Sequence, residues 1–336
     1  MIPVCVLTGF LGSGKTTLLA RLLKSPEFAR TAVIINEFGE IGLDHDLIET
    51  SDESFVTLQT GCLCCTIRGD LVLTLADILR RRDEGTVTPF DRVVIETSGL
   101  ADPAPILHAV MSDDALAERL TLAGVVTTVD AVSGGQTFDR QPESIKQVAV
   151  ADRLVLTKTD LVAETPAAVL DRLKALNPSA PVLPASFGDI DPAWLFDARI
   201  WDPTGKLPEL AAEEHGHSHA HDVNRHDARI ACFALIRDEP IPAVALTLFL
   251  EVLAEHCGGD LLRLKGIVAI AESPERPAVI HGVQHVFHAP AFLERWPSDD
   301  RRSRLVFIAR DLPREFAEAL LDAIEAEVGE TARGVA

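Results

Sequence analysis

The chain has 336 residues, 47% of them hydrophobic, with 31 basic against 51 acidic residues and a net charge of −20. That length accommodates two hydrophobic cores, and the acidity repels phosphodiester backbones and anionic membrane surfaces, which argues against nucleic acid or membrane as partner. No charged leader with an apolar segment and no apolar run of membrane-spanning length is present, so the expectation is a cytoplasmic protein whose six cysteines, at 5, 62, 64, 65, 232 and 257, are reduced.

From residue 1 to about 200, apolar runs alternate with amphipathic helical stretches, the pattern of a parallel sheet flanked by helices. Strands are expected over 4–7, 32–36, 92–96, 122–129, 153–156 and 181–184. A helix is expected over 66–82, where Leu71, Leu75, Ile78 and Leu79 recur at helical spacing.

Directly after the first strand, Gly9-Phe10-Leu11-Gly12-Ser13-Gly14-Lys15-Thr16 fits G-x-x-x-x-G-K-[ST] and is followed by Thr17-Leu18-Leu19. Glycines let successive backbone N–H groups of Gly12, Ser13 and Gly14 turn inward around phosphates, and the helix opening at Lys15 points its positive end at the same anion. Lys15 adds a point charge, and the Thr16 hydroxyl is placed to complete Mg²⁺ coordination. A nucleoside triphosphate is the expected ligand.

After the second strand, Asn36-Glu37-Phe38-Gly39-Glu40 offers Glu37 as a candidate metal ligand. Gly61-Cys62-Leu63-Cys64-Cys65 places three of the six cysteines within four residues. Three thiolates from Cys62, Cys64 and Cys65 suit one borderline cation. Zn²⁺ is favoured because three thiolates and one lighter ligand form a usual tetrahedral set, and Co²⁺ or Ni²⁺ would fit geometrically. The fourth ligand stays open between Glu37, a histidine and water. A vicinal Cys64–Cys65 disulfide is the redox alternative, disfavoured by ring strain. Cys5, Cys232 and Cys257 sit in apolar or helical contexts and read as core residues.

The run Arg92-Val93-Val94-Ile95-Glu96-Thr97-Ser98-Gly99 leads a buried strand into Glu-x-x-Gly. A carboxylate at the strand end can approach Mg²⁺ or its waters, and the Gly99 amide can meet a γ-phosphate. Asp102 reads as an N-cap before Pro103 at the first helical position, which accounts for it without a functional role. Further on, Thr157-Lys158-Thr159-Asp160 ends a strand with T-K-x-D, close to the N-K-x-D of guanine readers. The Asp160 carboxylate can accept from guanine N1–H and the N2 amine, a donor pair adenine lacks, while the Lys158 stem can lie over the base. Thr157 in place of Asn removes an amide contact.

Between about 202 and 227 the pattern breaks into Pro, Gly, Glu and His, with His215, His217, His219, His221 and His226 among Glu213, Glu214 and Asp222. This reads as an interdomain linker able to bind metal weakly. Beyond it, a strand at 229–236, a helix at 243–256, strands at 261–271, 278–288 and 304–309 and a helix near 314–328 suggest a small α+β domain.

Taken together, residues 9–16, 36–40, 61–65, 96–103 and 157–160 resemble the CobW family of metal-handling P-loop GTPases, relatives of the urease and hydrogenase nickel-insertion GTPases. The resemblance extends to Arg263-Leu264-Lys265-Gly266 and to Arg301-Arg302-Ser303-Arg304-Leu305-Val306-Phe307-Ile308 in the C-terminal part. It implies a P-loop GTPase domain over 1–201, a His-rich acidic linker over 202–228 and a CobW-type α+β domain over 229–330. It also implies GTP hydrolysis coupled to delivery of a transition metal, zinc foremost, to a client metalloprotein, and leaves room for a homodimer. By that likeness Gly12, Ser13, Gly14 and Lys15 hold the phosphates and Asp160 the guanine, and the residues around them extend the expected nucleotide site to Gly9, Thr16, Thr17, Gly99, Thr157 and Lys158. The likeness gives Mg²⁺ to Thr16 and the transition metal to Cys62, Cys64 and Cys65; from the residues themselves, Lys15, Thr16 and Glu96 are expected to serve hydrolysis and Glu37 is a candidate fourth metal ligand. Two other readings stand beside it: a P-loop small-molecule kinase, which Asp160 argues against, and a metal buffer built on the histidines.

Overall fold

The structure is a computed structural model that describes residues 1–37, 55–59, 65–164, 166–196 and 230–334. The chain divides into two compact units, Met1–Ile200 and Trp201–Ala336.

In the first unit the elements run β1 (Ile2–Gly9), α1 (Lys15–Leu22), a 3₁₀ turn (Pro26–Phe28), β2 (Thr31–Glu37), β3 (Phe55–Gln59), α2 (Cys65–Asp83), β4 (Arg92–Thr97), α3 (Ala104–Ser112) and α4 (Asp114–Ala117). There follow β5 (Leu120–Asp130), α5 (Gly134–Arg140), α6 (Pro142–Ala149), β6 (Arg153–Thr157), α7 (Ala167–Leu176), β7 (Val182–Pro184) and α8 (Pro192–Phe196). Seven described strands pair in the order β3-β2-β4-β1-β5-β6-β7, all parallel. The expected α/β P-loop sheet is therefore present, with one addition. Strand β3, at the sheet edge, is absent from the strands expected from sequence, because five residues of mixed polarity carry no distinctive period.

Central strands such as β1 and β4 are apolar on both faces because helices cover both sides. On one face α1 contributes Leu18, Leu19 and Leu22, at i, i+1 and i+4, to a cluster with Cys5, Leu7, Phe28, Val33, Val94, Val126 and Val155. Truncating fully buried Leu19 to Ala would cost about 2–5 kcal/mol. The sheet's winding reverses at β1, whose neighbours are β4 on one side and β5 on the other. The chain leaving β1 thus enters the crevice beyond the carboxyl ends of the strands, where ligands of open α/β sheets bind.

The second unit contains β8 (Ile230–Arg237), α9 (Ala243–Val252), β9 (Leu261–Ile270), β10 (Ser273–Val283), β11 (Val286–Phe287), β12 (Ala291–Phe292), β13 (Ser303–Arg310) and α10 (Arg314–Gly334). Its antiparallel sheet has the order β11-β10-β9-β13-β8, with β12 also on β10. The core joins Phe249 of α9 and Leu321 of α10 to Phe233 and Phe307, a cross-strand pair stacked at 4.9 Å between ring centroids. Two expectations differ in detail. The helix expected over 243–256 is α-helical only to Val252 and continues as a π turn over Leu253–Cys257. The strand expected over 278–288 is interrupted by a tight turn in which Gln284 has a positive φ of 51°.

Candidate functional site

The phosphate loop has the backbone that its glycines foretell. Gly9, Gly12 and Gly14 have φ of 142°, 72° and 91°, which residues with a Cβ adopt only under strain. At Gly9 crowding adds a second reason, since a Cβ there would meet Thr128 Oγ1 at 2.3 Å and its carbonyl oxygen at 2.5 Å. The loop closes through Ser13 N–H donating to Phe10 O at 3.0 Å. Lys15 is buried under it, with Nζ donating to Gly9 O at 3.0 Å and Phe10 O at 3.4 Å. A buried ammonium folded onto loop carbonyls, next to a helix N-terminus, is a donor-rich cradle that suits phosphate. Thr17, also expected here, is exposed at the next position of α1.

Two side chains converge beside the loop. The Thr16 hydroxyl donates to Glu96 Oε1 at 2.8 Å, joining α1 to the end of β4, and Glu96 is only 1% exposed. One residue on, Thr97 Oγ1 donates to Thr8 Oγ1 at 2.7 Å and fastens β4 to β1. This hydroxyl and carboxylate are hard oxygen ligands of the kind Mg²⁺ takes, next to the phosphate cradle. Gly99 lies against the loop so closely that a Cβ on it would meet Leu11 N at 2.6 Å and Leu11 Cα at 2.8 Å. Asp102 behaves as expected from sequence, its Oδ1 accepting Ala104 N–H at 3.0 Å, although the helix proper begins at Ala104, one residue later than expected. Its Oδ2 also pairs with Lys146 Nζ at 2.9 Å.

At the other end of the loop, Thr157 is buried and its hydroxyl donates to Ser13 O at 2.7 Å and Val129 O at 3.2 Å. The residue that departs from Asn thus braces the phosphate loop from the end of β6. Ser13 Oγ lies 2.6 Å from Thr128 Oγ1 and adds a second brace. Lys158 sits in the left-handed region at φ 57°, and its Nζ is 2.7 Å from Asp130 Oδ2, which orients the stem. Asp160 is exposed, and its Oδ1 accepts from Ser186 Oγ at 3.3 Å and Phe187 N–H at 3.4 Å.

Sequence reasoning missed Asp130, Ser186 and Phe187. The last two follow β7, where Phe187 at φ 52° and Gly188 at φ 72° make a tight turn over the start of α1, with a Cβ on Gly188 set to meet Leu18 Cα at 3.1 Å. Only the positive-φ glycine hints at this loop in the sequence. Of the expected metal ligands, Cys62 and Cys64 lie outside the described residues. Cys65 is the first residue of α2 and Glu37 the last of β2, with Glu37 opposite Gln59 in the β2–β3 register. Among the described residues no group of three or more His, Cys, Asp or Glu could hold a metal ion. No described helix is long and apolar enough to cross a membrane.

Residues 3–184 match the family model of the CobW/HypB/UreG nucleotide-binding domain, and residues 230–325 match the Cobalamin synthesis protein cobW C-terminal domain. The chain belongs to the CobW family. It is 36% identical over 314 residues to the Zinc chaperone YjiA of Escherichia coli (strain K12), covering 94% of this chain and 96% of that protein. It is 32% identical over 311 residues to the Zinc chaperone CobW of a Sinorhizobium species, covering 82% and 83%. The crystal structure of Zn(II)-bound YjiA GTPase from E. coli superimposes with a TM-score of 0.70 at 30% identity, covering 96% of this chain and 98% of that one. In this CobW-family chain the loop, the Thr16–Glu96 pair and the Asp160 corner are thus parts of a P-loop GTPase fold.

Proposed function

We propose that this chain is a GTP-hydrolysing metallochaperone that carries a transition metal, zinc foremost, on Cys62, Cys64 and Cys65 with Glu37 as a candidate fourth ligand, and passes it to a client metalloprotein. The relatives' names supply the class, and the observation that carries the reading is the shared register of the sheet's carboxyl end. Ile35 lies opposite Glu96, Asn36 opposite Thr97, and Glu37 opposite Gln59. The cysteine segment leaves the end of β3 six residues before Cys65 opens α2, so it departs from the same end of the sheet as the phosphate loop.

Gly9, Gly12, Ser13, Gly14, Lys15 and Thr17 would hold the phosphates, Thr157, Lys158 and Asp160 the guanine end, and Gly99 the γ-phosphate. Thr16 and Glu96 would hold Mg²⁺, which when bound supplies charge neutralisation at the β- and γ-oxygens. Lys15, already desolvated, offers its ammonium to the same charge without waiting for solvent to reorganise. Residues 37–65 join the phosphate-loop side of the sheet to α2, so ordering them by nucleotide would assemble the thiolates and releasing them after hydrolysis would loosen the cargo. In this reading residues 1–201 are the GTPase domain, 202–228 a metal-capturing linker and 229–330 the surface available to clients.

The deciding experiment is competitive Zn²⁺ titration of the reduced protein with Mg²⁺ and either GDP or a non-hydrolysable GTP analogue, repeated with Cys62, Cys64 and Cys65 changed to Ser. One tight site that strengthens with the analogue and vanishes in the triple variant is expected, and linkage requires zinc to strengthen analogue binding by the same factor. Equal affinity in both nucleotide states overturns the coupling. Loss of capacity on deleting residues 213–226, with the cysteine variant unaffected, would make the protein a buffer.

A further inference from the structure

Gln147 is fully buried in α6, far in sequence from the phosphate-binding segments, yet its side chain reaches into the turn that follows Glu96. Its Nε2 donates to Gly99 O at 3.2 Å and to Ala101 O at 3.1 Å. Its own carbonyl accepts the Thr127 hydroxyl at 2.7 Å, which fixes this part of α6 against β5. The turn is closed by Ala101 N–H donating to Ser98 O at 3.0 Å, and its far side touches the phosphate loop through Gly99 and Leu11. Residues 98–101 are therefore wedged between the phosphate loop and one amide group.

That amide does not serve packing. Its Oε1 is buried and accepts no hydrogen bond from the described residues, so a polar side chain is kept where an apolar one of equal volume would avoid desolvating an unmatched acceptor. What Gln147 provides is the Nε2 fork onto two carbonyls of a single turn. The neighbouring residue of α6 repeats the contact from the solvent side, since Lys146 Nζ pairs with Asp102 Oδ2 at 2.9 Å.

We propose that Gln147 is a positioning residue for nucleotide discrimination: its Nε2 fork on Gly99 and Ala101 sets the Glu-x-x-Gly turn at the distance from the phosphate loop at which the Gly99 N–H meets a γ-phosphate. The inference rests on the guanine-nucleotide reading of the site. The amide touches no nucleotide and acts through the backbone of Gly99. Its removal therefore weakens binding of the triphosphate and slows hydrolysis, while the diphosphate, held by the phosphate loop and the Asp160 corner, is little affected.

The test compares affinities of the full chain for GDP and for a non-hydrolysable GTP analogue, with kcat and KM for GTP, in wild type and three variants. Gln147→Met, which keeps the volume and removes the fork, should lower analogue affinity about tenfold, as expected for lost hydrogen bonds, change GDP affinity less than about threefold, and lower kcat. Lys146→Met, at a partly exposed position, should shift the same ratio by about twofold to threefold, and decides the matter if Gln147→Met does not fold. Asn177→Ala is the structural control: Asn177 Nδ2 donates to the carbonyls of Val148, Ala149 and Ala151 at the end of α6, so its loss should lower the melting temperature without moving the ratio. Equal weakening of both nucleotides by Gln147→Met, or an equal ratio change in Asn177→Ala, overturns the proposal. Wild type that binds neither nucleotide overturns the guanine-nucleotide reading and this inference with it, whereas normal wild-type binding with an unchanged ratio in Gln147→Met removes this inference alone.

Discussion

The Thr16 hydroxyl donates to Glu96 Oε1 at 2.8 Å, across a separation of 80 residues, and so joins the first residues of α1 to the end of β4. Neither partner is needed there for the core, which is built from leucines and valines deeper in the sheet. On the proposed reading the pair would exchange its mutual hydrogen bond for a shared Mg²⁺. Glu96→Gln keeps the shape and removes the charge. GTP turnover in phosphate-release assays should fall by about a hundredfold, the scale of losing one preorganised electrostatic contact, with GDP affinity changed far less. Turnover within about threefold of wild type would take Glu96 out of the hydrolytic machinery.

Gly99→Ala tests the close approach on the other side of the loop. The added Cβ would lie 2.6 Å from Leu11 N and 2.8 Å from Leu11 Cα, both backbone atoms with little freedom to yield. Overpacking of this kind costs about 1–3 kcal/mol, and here the strain falls on the phosphate loop. Calorimetry should show a lower melting temperature, and both nucleotides should bind more weakly. Unchanged affinity would mean that the turn and the loop separate at no cost.

The parts of this site that could be read from sequence are those where backbone geometry dictates residue type at fixed spacing. Gly9, Gly12 and Gly14 are required by their positive φ, and Lys15 and Thr16 follow from the helix that begins there. The strands were legible because both faces are buried, which leaves uninterrupted Val and Ile runs. Strand β3 was not, since a five-residue edge strand has only one neighbour to satisfy. Gln147, Asp130 and Ser186 were illegible for another reason: each meets its partner at a distance of 26–48 residues in sequence, through the folding of the sheet, and a single polar residue carries no spacing to recognise. In the sequence, Thr157 in place of Asn signals only a weaker base contact, and the fold adds a brace on Ser13 O.

Asp160 is where base identity should be decided. Its carboxylate is exposed and held loosely by Ser186 and Phe187, with both contacts at 3.3 Å or longer, so it is free to exchange them for a purine edge. Guanine offers two N–H donors on that edge; xanthine replaces the amine with a carbonyl. Asp160→Asn should lower GTP affinity about a hundredfold, the scale of two hydrogen bonds to a charged acceptor, and raise the affinity for xanthosine triphosphate. Competition between the two nucleotides for a fluorescent analogue reads both changes in one experiment. Parallel weakening of both would place the base elsewhere.

Cys5 and Cys232, outside the cluster, should be chemically silent, and their raised thiols should shape the alkaline limit of stability. Burial, with Asp152 adding to it and Arg153 opposing, pushes the Cys5 thiol up to about 12, and burial alone does the same for Cys232. Cys257 is also raised by burial and by Asp260. At pH 8 a thiol with pKa near 12 is about one part in ten thousand thiolate, so iodoacetamide should leave Cys5 and Cys232 unlabelled in the native reduced protein. Unfolded protein should label at all six. For stability the sign follows from proton counts: above the unfolded thiol pKa, about 8.5, an unfolded Cys5 loses its proton while the folded one keeps it, so the folded state binds more protons. The contribution is full below that pH and falls by about 1.4 kcal/mol per pH unit until pH approaches 12. Cys5→Ala lacks this term, at the expense of a small cavity. Its destabilisation relative to wild type, measured by urea unfolding, should therefore shrink between pH 8.5 and pH 10.5. A constant difference across that range would mean that the Cys5 thiol ionises as readily in the folded protein as in the unfolded chain.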